Sequence, residues 1–290
     1  MDPEVAFVLG GGGRLGAVEV GMLRALVEAG VHADLVLGTS IGAVNGAAWA
    51  ADPTPEGVDR LEEVWNGVHE AGVFAGNLVS RVRHLARTRT SLHSPDALEA
   101  LLTDSLPGSF EDLAVPFRCV AACIETAHGT WFDHGPLVRA VMASSAVPGL
   151  LPAVEVDGLH YIDGGVIDSI PVGTAVAAGA KTIYVLQVGR VEQPLEVPRW
   201  PHEVAMVAFE IARRHSFAAT LAALPEEVEV HVLPTGGQGP RPTEWRQFRY
   251  GDFGGTADAI DRAYEACAEY LAAPNRQLPP SVAGDQGTQP

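Results

Sequence analysis

Cysteine is scarce in this chain. Three occur in 290 residues, Cys119, Cys123 and Cys267, an odd number without a Cys-x-x-Cys pair, so neither a fully paired disulfide framework nor a thiol metal site is indicated. Cys119 and Cys123 lie four apart in an expected strand, face the same way and read as core. Positive charge is scarce too. Nineteen Lys and Arg stand against 36 Asp and Glu, a net charge of −17. Nucleic acid is thereby an unexpected partner, since phosphate backbones are held by clustered basic residues. Recruitment of the whole protein to an anionic membrane by charge alone is equally disfavoured. Long apolar runs are missing as well. The N-terminus starts acidic, Met1-Asp2-Pro3-Glu4, and the run after it lasts only from Val5 to Leu9. No signal peptide or membrane span can be read, and the chain reads as a reduced, cytoplasmic protein.

What the chain does have is apolar residues, 47% of the total. A core of that size would bury roughly three-quarters of the unfolded surface. Val5–Leu9 reads as a buried strand entering a loop, Gly10 to Gly16, and then a helix from Ala17 to Ala29 with apolar residues at Val20, Leu23, Leu26 and Val27. A second strand, Leu35–Leu37, runs into Gly38-Thr39-Ser40-Ile41-Gly42 and a second helix. Strand, glycine loop, helix, strand, glycine loop, helix makes a βαβ unit with parallel strands. Both loops then open on the same sheet edge, where α/β folds bind ligands.

Gly38-x-Ser40-x-Gly42 between a strand and a helix is the setting in which a serine projects as a nucleophile from a strained turn. The plainer alternative is a serine in an ordinary βα loop. Gly11-x-Gly13-x-x-Gly16 also satisfies a dinucleotide fingerprint, with Asp34 at about the expected spacing of ~20 residues. That reading, an NAD(P)-binding oxidoreductase, fails on placement. Asp34 precedes the second strand, whereas the ribose-binding carboxylate belongs after it. A glycine loop beside a serine suits an anion nest instead.

Further along, Val58, Leu61, Val64, Trp65 and Val68 place a helix over 56–70. Four of the nineteen basic residues, Arg81, Arg83, Arg87 and Arg89, fall within nine positions. They read either as a solvated loop or as a contact for lipid head groups. Ser94-Pro95-Asp96 starts a helix to about Leu106. Expected next are a strand at Phe117–Ile124 turning back through Ala127-His128-Gly129, a short helix at Leu137–Ser144, and a hairpin about Asp157-Gly158. The hairpin ends at Asp163-Gly164-Gly165, which taken alone is ordinary turn chemistry. A helix at Val172–Ala178, a strand at Thr182–Val188, a helix at 202–223, a strand at Val228–Leu233 and a helix at 256–272 complete a single expected domain over 1–273. Residues 274–290 have the composition of a disordered tail. Trp49, Trp65, Phe74 and Leu78 read as core or as the lining of an acyl pocket.

Gly11-Gly12-Gly13 with Gly16, then Gly38-x-Ser40-x-Gly42, then Asp163-Gly164-Gly165 stand in an order that resembles the patatin-like phospholipases. The likeness covers about 5 to 190. It implies a three-layer α/β/α fold with a mostly parallel sheet, no cofactor or metal, and hydrolysis of lipid carboxylic esters by a Ser40–Asp163 dyad. The N–H groups of Gly11, Gly12 and Gly13 would form the oxyanion hole, with Gly164 and Gly165 supporting the turn. Lipid or another acyl ester is the implied partner, with peripheral membrane contact. One departure is Leu15, where the family usually has a basic residue; here Arg14 stands one step earlier. A carboxylate serving as base in place of histidine needs a raised pKa, which partial burial supplies. A lipid-binding scaffold without activity is the remaining alternative.

Overall fold

A computed structural model describes residues 2–71, 91, 93–188, 194–199, 201–237 and 255–273. The strands are β1 (Val5–Leu9), β2 (Leu35–Thr39), β3 (Phe117–Cys123), β4 (Gly129–Phe132), β5 (Val154–Val156), β6 (Leu159–Asp163), β7 (Thr182–Leu186) and β8 (Glu229–Val232). The helices are α1 (Ala17–Glu28), α2 (Ile41–Ala51), α3 (Pro55–Ala71), α4 (Asp96–Ser105), α5 (Leu137–Ser144), α6 (Val172–Ala177), α7 (Pro201–Ala222) and α8 (Thr256–Ala272). Expected elements recur within a few residues. β2 runs two residues further than its apolar core, because Gly38 and Thr39 still pair with β1 and β3. The helix expected from Ser94 begins at Asp96, whose N–H donates to the Ser94 hydroxyl.

The sheet order is β5-β6-β3-β2-β1-β7-β8, with β4 also on β3. From β3 to β8 all neighbours on this path are parallel, as the βαβ reading requires. Alternation splits the core in two. Phe7 and Leu9 point into one cluster with Trp49 and Leu26; Ala6 and Val8 point into another with Val172 and Phe217. α1, α2, α3, α4, α5 and α8 cover the first face and α6 and α7 the second, giving three α/β/α layers. The Asp157-Gly158 turn has φ of 50° and 80°, the double positive φ of a type I′ hairpin.

β3 positions the site. Its residues Phe117–Val120 pair with Val36–Thr39 of β2, while Ala121–Cys123 pair antiparallel with Asp163–Tyr161 of β6. β4 overlaps both stretches of β3. A strand has two edges, so β2 and β6 share the other one, end to end. Thr39 stands opposite Val120 and Asp163 opposite Ala121, one residue on.

Candidate active site

Ser40 links β2 to α2 with φ 57° and ψ −123°. A non-glycine residue in that region costs roughly 1–3 kcal/mol of strain. The turn is this tight because α2 lies directly on the strand ends. A side chain at Gly38 would stand 2.5 Å from the Gly42 carbonyl oxygen, and one at Gly42 would run into the Leu9 carbonyl. The strained residue is held on both sides. Its N–H donates to Ser144 Oγ at 3.0 Å, and its carbonyl accepts from Ser145 Oγ at 3.0 Å and from the Ala43 N–H at 2.9 Å.

Asp163 ends β6. Its Oδ2 accepts from Ser40 Oγ at 2.5 Å, and its Oδ1 from the Gly165 N–H at 2.7 Å. Burial pushes its pKa up to about 6, against the two hydrogen bonds, which favour the ionised form. Gly164 has no room for a side chain against the Val120 carbonyl. Among the described residues, the side-chain hydrogen bonds of Ser40 and Asp163 join them to each other and to the Gly165 N–H; none involves a histidine.

The first glycine loop lies against this pair. A side chain at Gly11 would approach Ser40 Cβ to 3.3 Å and Ser169 Oγ to 3.2 Å. The Gly11 N–H is already given to the Ser169 carbonyl at 2.9 Å, so that expected oxyanion donor is in use. Gly13 has φ 59°, a conformation that favours glycine. Gly16 abuts Ile41 and Trp65. The segment after Asp163 ties everything together, since the Asp168 carbonyl accepts from Thr39 Oγ1 at 2.9 Å while Ser169 holds Gly11. Burial pushes Asp168 up to about 6 as well.

Asp34 lies at the opposite end of the sheet, where Oδ2 accepts from the N–H groups of Glu4 and Val5 at 3.0 and 2.9 Å. It is not placed to meet a ribose. Trp49 and Trp65 are core, Trp49 packing on Phe7 with ring centroids 4.9 Å apart. Arg81, Arg83, Arg87, Arg89, Phe74, Leu78 and residues 274–290 lie outside the described residues. Sequence reasoning missed Ser144 and Ser145, which look like ordinary small residues at a helix end, and also Thr39 and Ser169. It missed exposed apolar side chains as well. Val166, Ile167 and Phe209 are 50%, 43% and 41% exposed, and the Phe209 ring comes to 3.2 Å of where a Gly165 side chain would start.

The two serines flanking Ser40 differ in importance. Ser144→Ala leaves the buried Ser40 N–H without its acceptor, and the expected cost is about 1–3 kcal/mol. Ser145→Ala leaves the Ser40 carbonyl its backbone donors, Ala43 at 2.9 Å and Val44 at 3.3 Å, and is expected to cost under about 1 kcal/mol. Urea midpoints of the two variants should fall in that order, and the reverse order would show that the carbonyl contact is the more important one.

Several known proteins resemble this chain. An uncharacterized NTE family protein of Mycobacterium tuberculosis is 32% identical over 180 residues, covering 62% of this chain and 47% of its own. Lysophospholipase nte1 of Aspergillus terreus is 32% identical over 193 residues, 65% of this chain and 12% of its own. The chain thus spans less than half the length of these relatives. The crystal structure of VipD from Legionella pneumophila overlays with a TM-score of 0.48 at 14% identity, covering 93% of this chain and 67% of that one. A family model for patatin-like phospholipase matches residues 7–176. That is more than half of the chain and takes in both glycine loops, Ser40 and Asp163, so the chain belongs to the patatin-like phospholipase family.

Proposed function

We propose that this protein is a serine hydrolase of lipid carboxylic esters, a phospholipase A, lysophospholipase or related acyl-ester hydrolase acting through Ser40 and Asp163. The observation that carries the reading is the 2.5 Å hydrogen bond from Ser40 Oγ to a buried Asp163 carboxylate. Serine is a poor nucleophile until a neighbouring base takes its proton. Asp163, its pKa pushed up to about 6 by burial, is a stronger base than an exposed carboxylate yet still ionised at neutral pH.

In this reading Ser40 Oγ attacks the ester carbonyl carbon as its proton passes to Asp163 Oδ2. The negative charge on the carbonyl oxygen is met by the N–H groups of Gly12 and Gly13, since that of Gly11 is engaged by Ser169. Collapse of the tetrahedral intermediate expels the alcohol, which takes the proton from Asp163. Water, giving its proton to Asp163, then attacks the acyl-enzyme; that proton returns to Ser40 Oγ, and the carboxylic acid is released. The exposed ring of Phe209, 3.2 Å from where a side chain at Gly165 would start, suits contact with an acyl chain. A fluorophosphonate probe should label the protein, and peptide mapping should find the adduct on Ser40. An adduct elsewhere, or none, removes the reading.

The arginine segment is proposed to meet lipid phosphates at the mouth of the site, each charge contributing about 1 kcal/mol near an anionic surface. Changing Arg81, Arg83, Arg87 and Arg89 to Gln should reduce activity on anionic vesicles much more than activity on a small soluble ester. Equal losses on both substrates would assign the segment to the fold instead. No helix among the described residues is long and apolar enough to cross a membrane.

A further inference from the structure

Behind the first glycine loop lies a polar cluster that the proposed reaction does not use. Glu19, on α1 three residues past the loop, is fully buried. Its Oε2 accepts from Asn45 Nδ2 at 2.7 Å, and the same nitrogen donates to the Gly16 carbonyl at 2.9 Å. Asn45 Oδ1 in turn accepts from Trp65 Nε1 at 2.9 Å. Trp65 comes to 3.1 Å of where a Gly16 side chain would start, and Ile41, the residue after Ser40, crowds the same spot. At the other end of the loop, the Gly10 N–H is given to the Leu186 carbonyl at 2.9 Å. Glu19 Oε1 has no hydrogen-bond partner among the described residues.

A purely structural role is poorly served by this arrangement. An apolar side chain of the same size would fill the space without an orphaned oxygen, which is costly to bury. Buried polar clusters of this kind fix one geometry among several that packing alone would tolerate. This one holds the end of the loop at Gly16 and is anchored through Asn45 on α2, the helix that Ser40 starts.

We infer that Glu19 and Asn45 are positioning residues that hold the Gly10–Gly16 loop in register with Ser40, so that Gly12 and Gly13 face the reacting carbonyl. The inference rests on the hydrolase reading of the same site. Burial raises the pKa of Glu19 well above the usual carboxylate range, against the hydrogen bond from Asn45, which favours the ionised form.

The test uses the full chain, short p-nitrophenyl esters and thermal melts. Glu19→Met keeps the volume and removes both oxygens, so it should melt no lower than the wild type. Its kcat should nevertheless fall on the order of a hundredfold, because loop misplacement of about 1 Å is felt in the transition state, while KM moves by less than about threefold. Glu19→Gln, a neutral isostere, should keep kcat within about threefold, as a residue acting through its shape and hydrogen bonds allows. Combining Glu19→Met with Asn45→Ala should cost no more than the worse single change, the mark of one coupled unit. A Glu19→Met protein with wild-type kcat, or one whose KM rises while kcat stands, overturns the inference and leaves the hydrolase reading intact. Loss of kcat in Glu19→Gln equal to that in Glu19→Met also overturns it. Wild-type protein that neither hydrolyses esters nor labels with fluorophosphonate overturns both.

Discussion

Replacing Ser40 by alanine is expected to abolish ester hydrolysis, with a loss on the order of 10⁴- to 10⁶-fold, as for other activated serines whose hydroxyl forms the covalent bond. The fold should survive, because the Ser40 backbone keeps its bonds to Ser144 and Ser145. Steady-state turnover of a p-nitrophenyl ester and circular dichroism of the same sample check both halves. The variant series can also read the strain. Alanine keeps the cost of φ 57°, whereas glycine relieves most of it. Ser40→Gly should therefore be more stable than Ser40→Ala by about 1 kcal/mol, although both are inactive. Wild-type turnover in either variant would remove Ser40 from the chemistry. Equal stability of the two would mean that the turn is not under strain.

Asp163→Asn should lose activity about as severely, since in the proposed reaction nucleophile and base work as one unit. Geometrically the amide fits: its oxygen can accept from the Gly165 N–H and its nitrogen can donate to Ser40 Oγ. What it cannot do is take the serine proton. Wild-type kcat/KM should rise with pH to a plateau, the midpoint near the Asp163 pKa of about 6, because only the ionised form is a base. Stability runs the opposite way. The folded-state pKa lies above the ordinary 3.8, so the stabilising effect is fully present below about pH 3.8 and is lost as pH rises through about 6. At neutral pH the ionised carboxylate costs the fold up to roughly 3 kcal/mol. Asp163→Asn should consequently melt higher than wild type at pH 7, the advantage shrinking toward pH 4. Asp168 has a similar pKa, so Asp168→Asn separates the two: the acid limb should persist in that variant. Its disappearance there would transfer the limb to Asp168, and one histidine whose loss matched Asp163→Asn would indicate a triad.

Much of this protein is legible in local pattern. Continuous apolar runs mark β1 and β2, which bury both faces, and helical spacing of Val20, Leu23, Leu26 and Val27 marks α1. The Asp157-Gly158 hairpin is legible because positive φ at two successive residues demands particular residue types. Ser40 is legible for a similar reason: Gly38 and Gly42 bracket it where helix and strand backbones approach too closely for side chains. The net charge and the scarcity of cysteine bound the range of partners through composition alone.

The sequence by itself determined the parallel βαβ start, the two glycine loops on one sheet edge, and the candidate nucleophile and acid. Only the tertiary structure decided that β6 follows β2 along one edge of β3, bringing Asp163 to a serine 123 residues away. It alone decided that Ser144 and Ser145 clamp Ser40, that Ser169 has taken the Gly11 N–H, and that Glu19 lies buried behind the loop. The physical reason is range. Periodicity and turn chemistry act between neighbours in the chain and leave a trace in composition. A hydrogen bond between a helix end and a strand end a hundred residues apart depends on sheet register, and a serine that makes one has the same sequence signature as a serine that does not.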